Sequence, residues 1–104
     1  MSRRVEICAS AELAPGSVRR FEVEGQAVAV YNIDGRFYAT SDRCTHGNAS
    51  LSEGLLEGET IECDLHFGGF HVPTGKPVAP PCFEPLQTYP VVVLDGVVHL
   101  EMDG

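Results

Sequence analysis

Apolar residues in this chain alternate with polar ones, or run together briefly, between clusters of Gly, Asp and Pro, and no stretch sustains a helical period. Phe21-Glu22-Val23 and residues 27–31 flank Glu24-Gly25-Gln26, and Asp34-Gly35 separates the second run from residues 36–39. Both read as hairpins, and Val91-Val92-Val93-Leu94, Asp95-Gly96 and Val97-Val98-His99-Leu100 repeat the same grammar near the C-terminus. Ser10 to Leu13 predicts one capped helical turn, ended by Pro15-Gly16. Residues 55–62 predict a strand, a turn at Glu57-Gly58-Glu59 and a second strand that delivers Cys63, while Phe70-His71-Val72 and Thr74-Gly75 close a further hairpin. These elements predict an all-β antiparallel sandwich or barrel with an insertion at about residues 44–83. No linker or repeat divides residues 1–104, so a single domain is expected.

Composition narrows the function classes. Fifteen acidic residues against seven basic ones give a formal net charge of −8, which disfavours nucleic acid and anionic membrane surfaces. Met1-Ser2-Arg3-Arg4 leads into Val5-Glu6-Ile7 rather than a long apolar run, so neither a secretory signal nor a membrane span is expected and the predicted location is cytoplasmic. At 104 residues the core is modest, and a tightly held metal group would supply part of the stability.

The chemistry concentrates in Cys44-Thr45-His46 and, sixteen residues later, Cys63-Asp64-Leu65-His66. Each pair sets a thiolate beside an imidazole on one loop, so two loops offer two sulfur and two nitrogen ligands. Two inorganic answers fit: a tetrahedral Cys₂His₂ zinc acting as a structural staple, or a [2Fe-2S] cluster with thiolates on one iron and imidazoles on the other. Mixed ligands on each loop favour the cluster, because zinc fingers usually group Cys with Cys and His with His.

Cys44-Thr45-His46-Gly47-Asn48-Ala49 and Cys63-Asp64-Leu65-His66-Phe67-Gly68-Gly69-Phe70, with Thr74-Gly75-Lys76 and Pro80-Pro81, resemble the Rieske ferredoxins of bacterial aromatic-ring-hydroxylating dioxygenases over nearly the whole chain. The resemblance implies a Rieske-type fold with a cluster-binding subdomain at about 44–83, made of two ligand loops and a proline loop. It implies one [2Fe-2S] cluster held by Cys44 and Cys63 on one iron and by His46 and His66, through Nδ1, on the other. It further implies an electron carrier without catalytic residues, serving a flavoprotein reductase and a terminal oxygenase whose mononuclear iron performs the O₂ chemistry. The chain carries no dinucleotide-binding Gly-rich fingerprint, so a separate reductase is expected.

Departures from the wider Rieske pattern bear on the potential. High-potential members join an extra cysteine from each loop in a disulfide, where this chain has Ala49 and Leu65, and place hydroxyls where it has Gly68 and Phe70. Fewer donors to the sulfurs predict a low potential, near about −150 mV. Asp64 and His71 stand where Pro and Asp are common in the ferredoxin branch.

The other candidates have plainer readings. Cys8 and Cys82 are expected as free buried thiols, with a disulfide between them the minor alternative, His71 and His99 as structural or solvent-facing histidines, and Phe67, Phe70 and Phe83 as core or cluster-covering residues. Gly47, Gly68 and Gly69 are expected to allow close backbone approach and to offer amides to sulfur, and Thr45 and Asn48 to make loop hydrogen bonds. Glu53, Glu57, Glu59, Glu62 and Asp64 either solubilise the surface or steer basic patches of redox partners toward the ligand loops. Alternatives of other kinds are a zinc-bound interaction module, a subunit of a nitrite or arsenite oxidoreductase, and a ferredoxin for a monooxygenase.

Overall fold

The computed structural model describes residues 2–45, 49–63, 68–80 and 84–103, with the side chains of Ser2 and Asp103 left aside. Among the described residues there are eleven strands, two 3₁₀ turns and no α-helix. The strands are β1 (Ser2–Ala9), β2 (Ser17–Val23), β3 (Gln26–Ile33), β4 (Arg36–Ser41), β5 (Leu55–Glu57), β6 (Thr60–Glu62), β7 (Gly69–His71), β8 (Pro77–Ala79), β9 (Thr88–Tyr89), β10 (Val91–Leu94) and β11 (Val97–Asp103). The 3₁₀ turns are Ser10–Glu12 and Leu51–Glu53. All described pairings are antiparallel, in sheets ordered β1-β11-β10, β2-β3-β4-β9 and β5-β6-β7-β8.

The hairpins expected from the hydrophobic pattern are present. Glu24-Gly25, Asp34-Gly35 and Asp95-Gly96 each place two residues at positive φ, at 51° and 83°, 54° and 88°, and 50° and 74°. Such left-handed pairs match the right-handed twist of the strands they join, and only Gly takes the second position without steric cost. Gln26 opens β3 instead of belonging to the turn. The expected helical turn is the 3₁₀ turn Ser10–Glu12, where the Glu12 carboxylate accepts the Ala9 amide at 2.9 Å.

β3 sits at the centre, and every residue from Val28 to Ile33 is buried. Side chains alternate across a strand, so its two faces feed two cores. Val28 and Val30 pack with Val23, Val98, Leu100 and Met102 in one. Ala29, Tyr31 and Ile33 pack with Leu51, Ile61, Phe70 and Val72 in the other. The β5-β6-β7-β8 sheet built from the insertion therefore covers one face of the middle sheet, and the β1-β11-β10 sheet covers the opposite face. At Pro90 the chain passes from β9 in the middle sheet to β10 in the outer one, and the Pro90 carbonyl accepts the Glu101 amide at 3.0 Å.

Candidate metal centre

Cys44 and Cys63 each follow a strand or bridge that feeds a loop. Cys44 comes directly after Arg43, which bridges to Ser50, and Cys63 directly after β6. The two loops close in the same way. The Cys44 amide donates to the Ala49 carbonyl at 2.9 Å, and the Cys63 amide donates to the Gly68 carbonyl at 2.6 Å. Both loops are thus cinched from a cysteine to the fifth residue beyond it, and each loop holds one of the two histidines expected as ligands. Both cysteines are 1% exposed and belong to the core that contains Tyr31, Leu51, Ile61 and Phe70. Among the described residues neither forms a disulfide. His46 and His66 lie outside the described residues, as do Gly47, Asn48, Asp64, Leu65, Phe67, Pro81, Cys82 and Phe83.

Several anchors hold this end of the molecule. Thr45 Oγ1 donates to the Glu84 carbonyl at 2.9 Å, tying the first loop to the chain beyond the proline loop. Gly54 lies against β6 so closely that a Cβ there would come within 1.9 Å of the Glu62 carbonyl oxygen. Phe70, beside the second loop, is fully buried, and Gly69 is buried with the Thr60 methyl 3.3 Å from where its Cβ would stand.

Asp42, which the sequence reading passed over, is 1% exposed and stands two residues before Cys44. Its amide donates to the Ala27 carbonyl at 3.0 Å and its carbonyl accepts the Leu51 amide at 2.7 Å. Its Oδ1 accepts the Ser52 amide at 2.8 Å, and Oδ2 lies 3.7 Å from Arg20 Nε. Nothing in the sequence marks Asp42 apart from other acidic residues, since its burial comes from distant segments. Tyr31 shares a hydrogen bond with Thr40 Oγ1 at 2.8 Å. Burial pushes the Tyr31 phenol far above its ordinary range, the Thr40 hydroxyl opposing this and the Asp42 charge adding to it.

The remaining candidates fall away from the ligand loops. His71, at the far end of β7, has Nδ1 2.8 Å from Thr74 Oγ1 and Nε2 3.3 Å from Glu59 Oε1. His99 Nδ1 donates to the Val97 carbonyl at 3.1 Å. Both are the structural histidines expected. Cys8 departs from expectation, being only partly buried, because β1 is an edge strand of its sheet. That partial burial still raises its thiol pKa, helped by Glu12 and opposed by Arg19.

Two buried thiols in one core, on matched loops that each carry a histidine, are a donor set that fits a mixed-ligand iron–sulfur cluster. Residues 3–90 match the Rieske [2Fe-2S] domain family. The chain belongs to that family. Its cofactor is a Rieske [2Fe-2S] cluster, which sets aside the zinc alternative. This Rieske chain is 47% identical over 97 residues to ferredoxin CarAc of Metapseudomonas resinovorans, covering 92% of this chain and 91% of that one. It is 49% identical over 85 residues to the biphenyl dioxygenase ferredoxin subunit of a Pseudomonas species, covering 81% and 78%. A solved complex of reduced oxygenase and oxidised ferredoxin in carbazole 1,9a-dioxygenase contains a chain that superposes with a TM-score of 0.90 at 46% identity, covering 93% of this chain and 91% of that one. The chain is an electron-carrying ferredoxin and not a catalytic subunit. Among the described residues no helix is long and apolar enough to cross a membrane.

Proposed function

We propose that this ferredoxin takes single electrons from an NAD(P)H-dependent flavoprotein reductase and delivers them to the Rieske centre of a terminal aromatic-ring-hydroxylating oxygenase. The observation that carries this reading is the pair of buried cysteines on identically cinched loops, in a chain with close likeness to dioxygenase ferredoxins. In the proposed ligand set, Cys44 and Cys63 hold one iron, and His46 and His66 hold the other. When bound, the cluster would supply one-electron redox chemistry, for which the ligating residues need to stay fixed. The residues of the chain supply that fixity. The cinched loops, the Thr45 tether and the close contact at Gly54 limit ligand movement, while Phe70 and Leu51 keep water from the cysteine side.

The whole chain acts as one domain in this reading, with residues 44–83 as the cluster-binding part, and works in the cytoplasm. A Cα radius of gyration of 12.8 Å supports the single unit, being about that of a compact domain of about 100 residues. The test is iron and sulfide analysis with an EPR spectrum of the dithionite-reduced protein. About two irons, two labile sulfides and one spin with the low average g-value of mixed ligation are expected. Stoichiometric zinc in protein from its native source would refute the cluster, and a cluster that survives Cys44→Ser or Cys63→Ser would refute the ligand set. Stopped-flow reoxidation by a ring-hydroxylating oxygenase then tests the partner.

A further inference from the structure

We infer that Asp42 is a positioning residue for the cluster, acting through the 3₁₀ turn Leu51–Glu53 as a strut that fixes the separation of Cys44 and Cys63. This rests on the proposed assignment of the two cysteines as ligands.

Asp42 bonds two separate segments at once, β3 and the 3₁₀ turn. Its amide is fixed to β3 through Ala27, its carbonyl takes the Leu51 amide, and Oδ1 takes the Ser52 amide. The turn it holds begins after Ser50, whose own side chain makes no capping bond. Asp42 therefore satisfies amides at the start of this turn that would otherwise be unpaired beside a buried core. At its other end the turn is closed by the Gly54 amide donating to the Leu51 carbonyl at 2.9 Å. Gly54 then abuts the Glu62 carbonyl, and Glu62 precedes Cys63. A continuous line of contacts runs from Cys44 back two residues to Asp42, through Leu51, Ser52 and Gly54, to Glu62 and Cys63. Leu51, fully buried, packs in the same core as both cysteines.

The side chain, and not only the backbone, is required at one link. The Ser52 amide has Oδ1 as its described acceptor in a part-buried setting, and a donor shielded from water that loses its acceptor carries part of its desolvation penalty. The charge is a separate matter. Arg20 Nε is 3.7 Å from Oδ2 and its side chain is half exposed, so the ion pair is weak and lies on the solvent side.

Three variants of the full chain separate these roles. Asp42→Ala removes the acceptor, and cluster release to an iron chelator is expected to accelerate on the order of tenfold. The EPR lines of the reduced protein should broaden, because a loosened strut spreads the ligand geometry. Asp42→Asn keeps an oxygen acceptor without the charge, and should stay within about twofold of the unmodified protein in release rate. The double variant Arg20→Met with Asp42→Asn removes both charges and keeps the acceptor, and it should behave like the single Asn variant. Unchanged line width and release rate in Asp42→Ala would overturn the inference. Broadened lines in either Asn-containing variant would overturn it too, and these two variants decide the matter if Asp42→Ala does not fold. Retention of the low-g signal in Cys44→Ser or Cys63→Ser would instead fail the ligand assignment on which this inference rests.

Discussion

Two cores lie back to back on β3, and they are built differently. The core facing the β1-β11-β10 sheet is mainly aliphatic, with Val23, Val28, Val30, Val98, Leu100 and Met102 on strands of seven or eight residues closed by tight two-residue turns. The core facing the insertion is served by strands of only three residues, and two of its buried side chains are Cys44 and Cys63. Long ladders and apolar burial suffice for the first. Short strands pair too few residues to hold themselves, so the second depends on single anchors: Asp42, Thr45 to Glu84, Gly54 and, in the proposed reading, the metal. The half built on the β1-β11-β10 sheet is therefore expected to tolerate loss of the cluster, and the half built from the insertion to depend on it.

The largest effect should separate the cysteines. Cys44→Ser or Cys63→Ser is expected to abolish or destabilise cluster assembly, whereas Cys8→Ser and Cys82→Ser should give coloured, redox-active protein. Hydrogen exchange after iron removal should show protection lost across β5 to β8 and retained in β2, β3 and β4. Equal loss in both halves would erase the distinction.

Matched leucine truncations sharpen it. Leu51→Ala and Leu100→Ala both empty a fully buried site and should each cost about 2–5 kcal/mol. Chemical denaturation measures that cost. Only Leu51→Ala should also speed cluster release, because only Leu51 packs in the core of the two cysteines.

Two glycines make a smaller contrast. Gly54→Ala must push the Glu62 carbonyl away, costing about 1–3 kcal/mol and shifting the EPR line shape. Gly25→Ala meets no atom within 4 Å, so its cost, about 1–2 kcal/mol, comes from the positive φ of 83° and should leave the spectrum untouched.

Tyr31 adds a pH signature from the middle layer. Its raised pKa means that the folded protein keeps the proton while the unfolded chain loses it above about pH 10. Stability from this group is therefore complete below about pH 10 and declines above it by up to about 1.4 kcal/mol per pH unit. In denaturation measured across this range, Tyr31→Phe should flatten that part of the decline.

The smallest effect concerns docking. The insertion carries five acidic residues and a single basic one, Lys76, and Glu53 and Glu57 are exposed. If they steer a basic partner, electron transfer to the oxygenase should slow as salt shortens the screening length to about 10 Å at 0.1 M. Glu53→Lys with Glu57→Lys should lower the second-order rate at low salt and converge with the unmodified protein at high salt. Glu59 is a poorer choice because it also contacts His71. A rate indifferent to salt and to reversal would leave the acidic surface as a solubility feature.

Local signals in the sequence determined the turns and the two ligand loops. Asp34-Gly35 and Asp95-Gly96 announce left-handed pairs, and Cys-x-His with Cys-x-x-His announces a mixed donor set, because each depends on residues adjacent in the chain. β9, a two-residue strand, escaped because two residues carry no period. The tertiary structure alone decided that Val28 and Val30 face a different core from Ala29 and Tyr31, since both faces of β3 are apolar and periodicity cannot say what covers them. It also decided that Asp42 is the buried one among the described acidic residues, and that Gly54 must lack a side chain because the Glu62 carbonyl fills the space. Burial and close approach are set by segments distant in sequence, and no local pattern records them.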